Sequence, residues 1–235
     1  MTLLAFETAD TTCSVAVWHD GQCRAEAHIH RARVHAARLM PLMQETLAHA
    51  AIEPCDVEGV AVSAGPGSYT GLRIGMSTAK GFAMARGLPI VQVPTLTAAT
   101  HALAPWTAPG DLVIAALDAR RNDVFAAVHA RTDEGWTETA AAAPYHVDAL
   151  VADVLHSHED ETVWVTAPGA DKVAHALEDR KMQIRCVSTE HRRLSAQHIA
   201  ALGATLLAEG LTADPQTVEP TYLKAFQGTP TAKTV

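Results

Sequence analysis

The sequence predicts an α/β protein made of two similar halves, and three observations predict it. Each half opens on an apolar strand that closes on an acidic residue: Leu3-Leu4-Ala5-Phe6 before Glu7, and Leu112 to Leu117 before Asp118. Each opening strand is followed by hairpin patterning and then a helix. Between the halves the composition breaks, with Pro105, Trp106, Pro109 and Gly110 close together. Such a repeated βββα start, with acidic residues at the strand ends, predicts a duplicated ribonuclease-H-like fold. The 235 residues suit one large domain or two of roughly 100–130 residues each. The expected division is 1–105 for the first half, 106–194 for a reduced second half, and 195–235 for a C-terminal helix and tail packing back on the first.

In the first half, Cys13 to Trp18 reads as a second strand, Asp20-Gly21 as a hairpin turn, and Cys23 to His30 as an alternating third strand. His35 to Ala50 has a helical stripe of Leu39, Leu42, Met43 and Leu47, with Pro41 inside it as a kink site. A strand from Val57 to Val62, a glycine-rich loop and a helix from Arg73 to Arg86 follow, stopped by Gly87 and Pro89. Ile90 to Val93 is a strand and Thr95 to Leu103 a short helix. The second half repeats the plan with strands at Asp123 to Ala130, Trp136 to Ala142 and Val163 to Ala167. Its helices run from Asp148 to Leu155 and from Asp171, and Ser195 caps a last helix reaching about Glu209.

Hydrophobic residues make up 48% of the chain and aromatics only 5%, so alanine fills much of a core that must pack by close approach. The net charge of −8 gives a surface that does not attract phosphate backbones. Arg120-Arg121 and His191-Arg192-Arg193 are short basic clusters that could form local patches. Cys13, Cys23, Cys55 and Cys186 are scattered without a CxxC pair, which reads as free thiols rather than a disulfide or zinc framework. The N-terminus has no signal-peptide pattern and no apolar run approaches the ~20 residues that span a bilayer. A soluble, cytoplasmic protein is expected.

The loop SAGPGSYTGLRIG, Ser63 to Gly75, joins a strand to a helix through Gly65, Gly67, Gly71 and Gly75, with Ser68 and Thr70 as N-cap candidates. Two readings stay open: an anion cradle at a helix N-terminus, or glycines that only permit tight packing. The loop matches neither GxxxxGK[ST] nor GxGxxG. Glu7 and Asp118, facing each other across a cleft, could hold a hydrated magnesium ion, or each could simply cap a turn.

FETADTTCSVAV, His35 followed by RLMPLMQETL, AVSAGPGSYTGLRIGMSTAKGFA, IAALDARRNDVF and EPTYLK run in order from Phe6 to Lys224. On these motifs the chain resembles the TsaB (YeaZ) family. The resemblance implies an ASKHA (actin-like) fold and a role in making threonylcarbamoyladenosine at the adenosine 3′ of the tRNA anticodon. It implies a subunit without chemistry of its own, which forms a homodimer in isolation, pairs with the catalytic paralogue TsaD and works with the ATPase TsaE. Contact with tRNA is then only indirect. It implies that the helix carrying His35, Leu39, Met40, Leu42, Met43 and Leu47 contacts the partner. It leaves Gly65, Gly67, Ser68, Thr70, Gly71 and Arg73 as a family loop for phosphate or partner. Glu7, Thr8, Asp10, Thr11 and Asp118 become a vestigial magnesium–nucleotide site, with weak nucleotide binding or none and no cofactor.

TsaD-type proteins carry an HxxxH metal pair after the glycine loop, where this chain has Thr95 and Ala99. Neither side chain replaces an imidazole on a metal, so no metal site is expected, and His101 stands alone nearby. The alternatives are an ATPase or phosphotransferase using Glu7 and Asp118, and a metallopeptidase, which the missing histidine pair disfavours.

Overall fold

The structure, a computed structural model, describes residues 1–157, 162–178 and 183–223. Lys224, the last residue of the EPTYLK motif, and the tail after it lie outside the described residues. The first half contains β1 (Thr2–Glu7), β2 (Thr12–His19), β3 (Gln22–His30), α1 (His35–Ala50), β4 (Gly59–Gly65), α2 (Tyr69–Arg86), β5 (Ile90–Pro94) and α3 (Thr95–His101). The second contains β6 (Leu112–Asp118), β7 (Asp123–Thr132), β8 (Gly135–His146), α4 (Val147–Ser157), β9 (Thr162–Thr166), α5 (Ala170–Leu177) and β10 (Gln183–Cys186), and α6 (Ala196–Ala208) closes the chain.

The two sheets have one topology. The first is ordered β3-β2-β1-β4-β5 and the second, read from the matching edge, β8-β7-β6-β9-β10. In each, the opening strand pairs antiparallel with its hairpin partner and parallel with the strand after the first helix. Central strands covered on both faces need continuous apolar runs, and Leu3, Leu4, Ala5 and Phe6 are all buried, as are Leu112 to Ala116. The duplication therefore places Glu7 and Asp118 at equivalent carboxyl ends of β1 and β6.

α1 and α2 cover one face of the first sheet, where Leu39, Leu42, Met43 and Leu47 join Phe6, Val15, Val62 and Met76. α6 covers the other face, packing Ile199 and Ala200 on Leu3, Ala5, Ala61 and Val91. An alanine-rich seam joins the halves, with Ala9, Leu72, Leu96 and Ala99 from the first against Ala115, Leu117, Ala127 and Ala167 from the second.

Several sequence expectations shift. α2 begins at Tyr69 rather than Arg73, because Ser68 caps it: its Oγ accepts the Gly71 N–H at 3.3 Å, and Thr70 lies inside the first turn. Ser195 makes no capping bond. The first amides of α6 are met from the sheet instead, Ala196 N–H by Ser14 Oγ at 3.1 Å and Gln197 N–H by Glu26 Oε1 at 3.3 Å. α1 runs unbroken through Pro41. The edge strand β10 was not expected, because its four residues are too few for their alternation to stand out.

Candidate functional site

The glycine loop closes on the chain's own first hairpin. The Ser68 N–H donates to the Ala9 carbonyl at 2.6 Å. A Cβ on Gly67 would lie 2.5 Å from the Ala9 oxygen, one on Gly71 would collide with the Thr8 carbonyl oxygen, and one on Gly75 with Thr8 Oγ1. These glycines let α2 sit directly on Thr8 and Ala9. Of the two readings of the loop, the packing one describes this geometry, because an amide that would meet a phosphate already has an internal acceptor.

The acidic residues are engaged separately. Glu7 is buried, and its Oε1 accepts the Ala9 N–H at 2.5 Å. Burial pushes its pKa up to about 7 against the hydrogen bonds from Ala9 and Ser63. Asp118 is exposed; its Oδ1 accepts the Lys172 ammonium at 2.7 Å and the Arg120 N–H at 2.6 Å. Burial opposes the Asp118 charge, but Lys172 and Arg120 outweigh it and hold the carboxyl below its usual range. The two carboxylates share no partner among the described residues, where no three His, Cys, Asp or Glu side chains converge as a metal site. Thr11 Oγ1 donates to Asp10 at 3.2 Å on the exposed hairpin tip. Beside Glu7 and Thr95 the space between the halves is about 10 Å³, room for one water. These residues do not fit a magnesium–nucleotide group.

Thr95 and Ala99 belong to the framework. Thr95 is buried and its Oγ1 accepts the Gly65 N–H at 3.2 Å, bracing the glycine loop. Ala99 packs in the seam with Ala115 and Ala127. His101 stacks near Trp136, ring centroids 5.9 Å apart, and burial lowers its pKa.

The helix expected to meet a partner divides sharply. Leu39, Leu42, Met43 and Leu47 are core, and His35 is buried with Nε2 3.0 Å from the Thr12 carbonyl, pinning the β1–β2 hairpin. These five side chains are not available as surface, because the sheet already covers them. Met40 alone of the six points out, 48% exposed. Arg73 is exposed on α2, its guanidinium 4.4 Å above the Tyr69 ring and its Nε–H donating to Tyr222 Oη at 3.1 Å. Tyr222 arrives on a C-terminal strap that Lys80 holds through the carbonyls of Gln216 and Val218, and that Thr221 joins to Ala64 at 2.7 Å. Thr221 and Tyr222 of the EPTYLK motif thus fasten the strap to the glycine loop and α2.

A second cleft, about 340 Å³, went unnoticed in the sequence. Glu26, His28 and His30 line it from β3, with Trp106, His191 and His198 opposite. The alternation Glu26-x-His28-x-His30 was the available signal, since period two puts the three on one strand face.

Residues 29–224 match the family model described as TsaD: tRNA N6-adenosine threonylcarbamoyltransferase. The tRNA threonylcarbamoyladenosine biosynthesis protein TsaB of Escherichia coli is 32% identical over 230 residues, 95% of each chain. The chain belongs to the TsaB family. Its members are named for threonylcarbamoyladenosine biosynthesis, the pathway in which TsaD also acts. A solved structure of YeaZ from Pseudomonas aeruginosa superposes with a TM-score of 0.77 at 24% identity, covering 94% of this chain and 99% of that one. A Listeria monocytogenes protein assigned as an N-acetylmannosamine kinase superposes at 0.53 and 11% identity, over 89% of this chain and 100% of that one. The fold of this TsaB-family chain is thus the actin-like one expected. No helix among the described residues is long and apolar enough to cross a membrane.

Proposed function

We propose that this chain is the non-catalytic partner subunit of the complex that transfers a threonylcarbamoyl group to tRNA, pairing with a TsaD-type catalytic subunit and raising its activity. One observation carries the reading. Thr95 and Ala99, at the positions where TsaD-type proteins place two metal-binding histidines, are built into the loop brace and the seam between the halves. An imidazole at either would have to displace packed framework. The closed hairpin–loop contact and the Lys172–Asp118 pair give no support to the ATPase reading.

The docking face is the outer side of α1 and α2. Met40 stands exposed on α1, and α2 beside it leaves Thr70, Ser77 and Gly81 uncovered. Small side chains admit a neighbouring helix at close range, and methionine adapts to it. The same face serves the homodimer in isolation, and a TsaE-type ATPase joins the assembled pair.

Mixing the chain with a TsaD-type subunit is expected to give a heterodimer by size-exclusion chromatography with light scattering. Met40→Glu combined with Gly81→Glu is expected to abolish it, with the far-UV spectrum of the isolated chain unchanged because both sites are exposed. Normal pairing of a folded double variant would show that the face is wrong.

A further inference from the structure

The β6–β7 tip holds a short basic cluster, and nothing in the reading above uses it. Arg120 and Arg121 are consecutive, exposed, and both left-handed, with φ of 72° and 51°. Residues with a Cβ avoid that region, and asparagine or glycine occupies it more cheaply. The strained pair is clamped. Lys172 donates to Asp118 Oδ1 and to the Arg121 carbonyl, both at 2.7 Å, and Asp118 accepts the Arg120 N–H at 2.6 Å. The clamp spends the Lys172 and Asp118 charges on each other. Neither guanidinium makes a hydrogen bond or ion pair with the described residues. The His191-Arg192-Arg193 cluster differs, because Arg192 is paired with Asp171.

Two arginines held in a conformation that costs the fold, with their side chains unspent, are placed for display. We propose that this tip is a phosphodiester contact: Arg120 and Arg121 each hold a backbone phosphate of the tRNA when the chain is assembled with its catalytic subunit. The inference rests on the partner-subunit reading. It replaces the expectation of purely indirect tRNA contact. Arginine suits phosphate through its planar fork of donors. A chain of net charge −8 cannot hold RNA by its overall field, so the contact works only as a local addition to the partner's own binding.

The test is R120N/R121N, which keeps a residue tolerant of the left-handed region at both positions. The variant is mixed with the TsaD-type subunit, pairing is checked by light scattering, and tRNA affinity of the complex is measured from low to moderate salt. The expected result is normal pairing, a melting temperature no lower than the parent's, and tRNA affinity reduced about tenfold at low salt. The slope of log affinity against log salt should shrink by roughly 1.5, the release expected for two phosphates. Unchanged tRNA affinity and slope in a variant that still pairs would overturn the inference while leaving the partner reading intact. Loss of pairing in the variant would overturn it too, marking the tip as a contact to an acidic protein surface. Failure of the parent chain to pair at all would count against the partner reading itself.

Discussion

Replacing Glu7 with glutamine isolates the energetic cost of carrying a carboxyl group at the end of β1. Glu7 is buried, and its pKa is raised to about 7 from the ordinary 4.5, chiefly by burial. The native state therefore keeps this proton to higher pH than the unfolded chain does. Its stabilising contribution is complete below pH 4.5 and is lost as pH rises through 7. Integrating between these pKa values, the loss from pH 5 to pH 8 is about 2.5 kcal/mol. Glutamine does not titrate, and its Oε1 can still accept the Ala9 N–H. Urea unfolding of both proteins at pH 5 and pH 8 measures the effect, and subtracting one from the other cancels every other titrating group. The stability of Glu7→Gln relative to the parent is expected to rise by about 2.5 kcal/mol between the two pH values, or about 5–10 °C in Tm for a chain of this size. A difference that stays constant within about 0.5 kcal/mol would refute the claim that Glu7 is desolvated in the native state.

Other outcomes follow from the same geometry. His129 is buried against Thr100, and burial followed by the charge of His101 lowers its pKa to about 4. Its contribution is present above the ordinary value of 6.5 and is lost as pH falls toward 4, so His129→Gln should flatten the acid limb of the stability curve by up to about 3 kcal/mol. Gly71→Ala drives a Cβ into the Thr8 carbonyl and should cost about 3 kcal/mol or more in urea unfolding, because backbone on both sides must move. Gly81→Ala, with open space around the added methyl, should instead stabilise the isolated chain by about 1 kcal/mol.

Much of the fold was legible because apolar runs and turn residues carry it. The strands from Leu3 and Leu112 end at Glu7 and Asp118 as the apolar runs and acidic residues indicated, and the two sheets repeat one order. Features set by tertiary contact were not legible. Ser195 looked like a cap, but Ser14 and Glu26 on neighbouring strands accept from the α6 amides, a pairing across more than 160 residues. Residues on α1 with the same periodicity face different ways: Met43 is core and Met40 is surface, and only the position of the sheet decides between them. The glycine loop announced a close approach without naming what approaches, and in the fold Thr8 and Ala9 sit against it.

The most direct test of the central claim is threonylcarbamoyl transfer to tRNA, measured with this chain alone, with a TsaD-type subunit alone, and with the two together alongside the remaining components. The account predicts no transfer from this chain alone, and a rate with both that exceeds the catalytic subunit alone and falls back to it with M40E/G81E. Transfer by this chain in the absence of a TsaD-type subunit would contradict it.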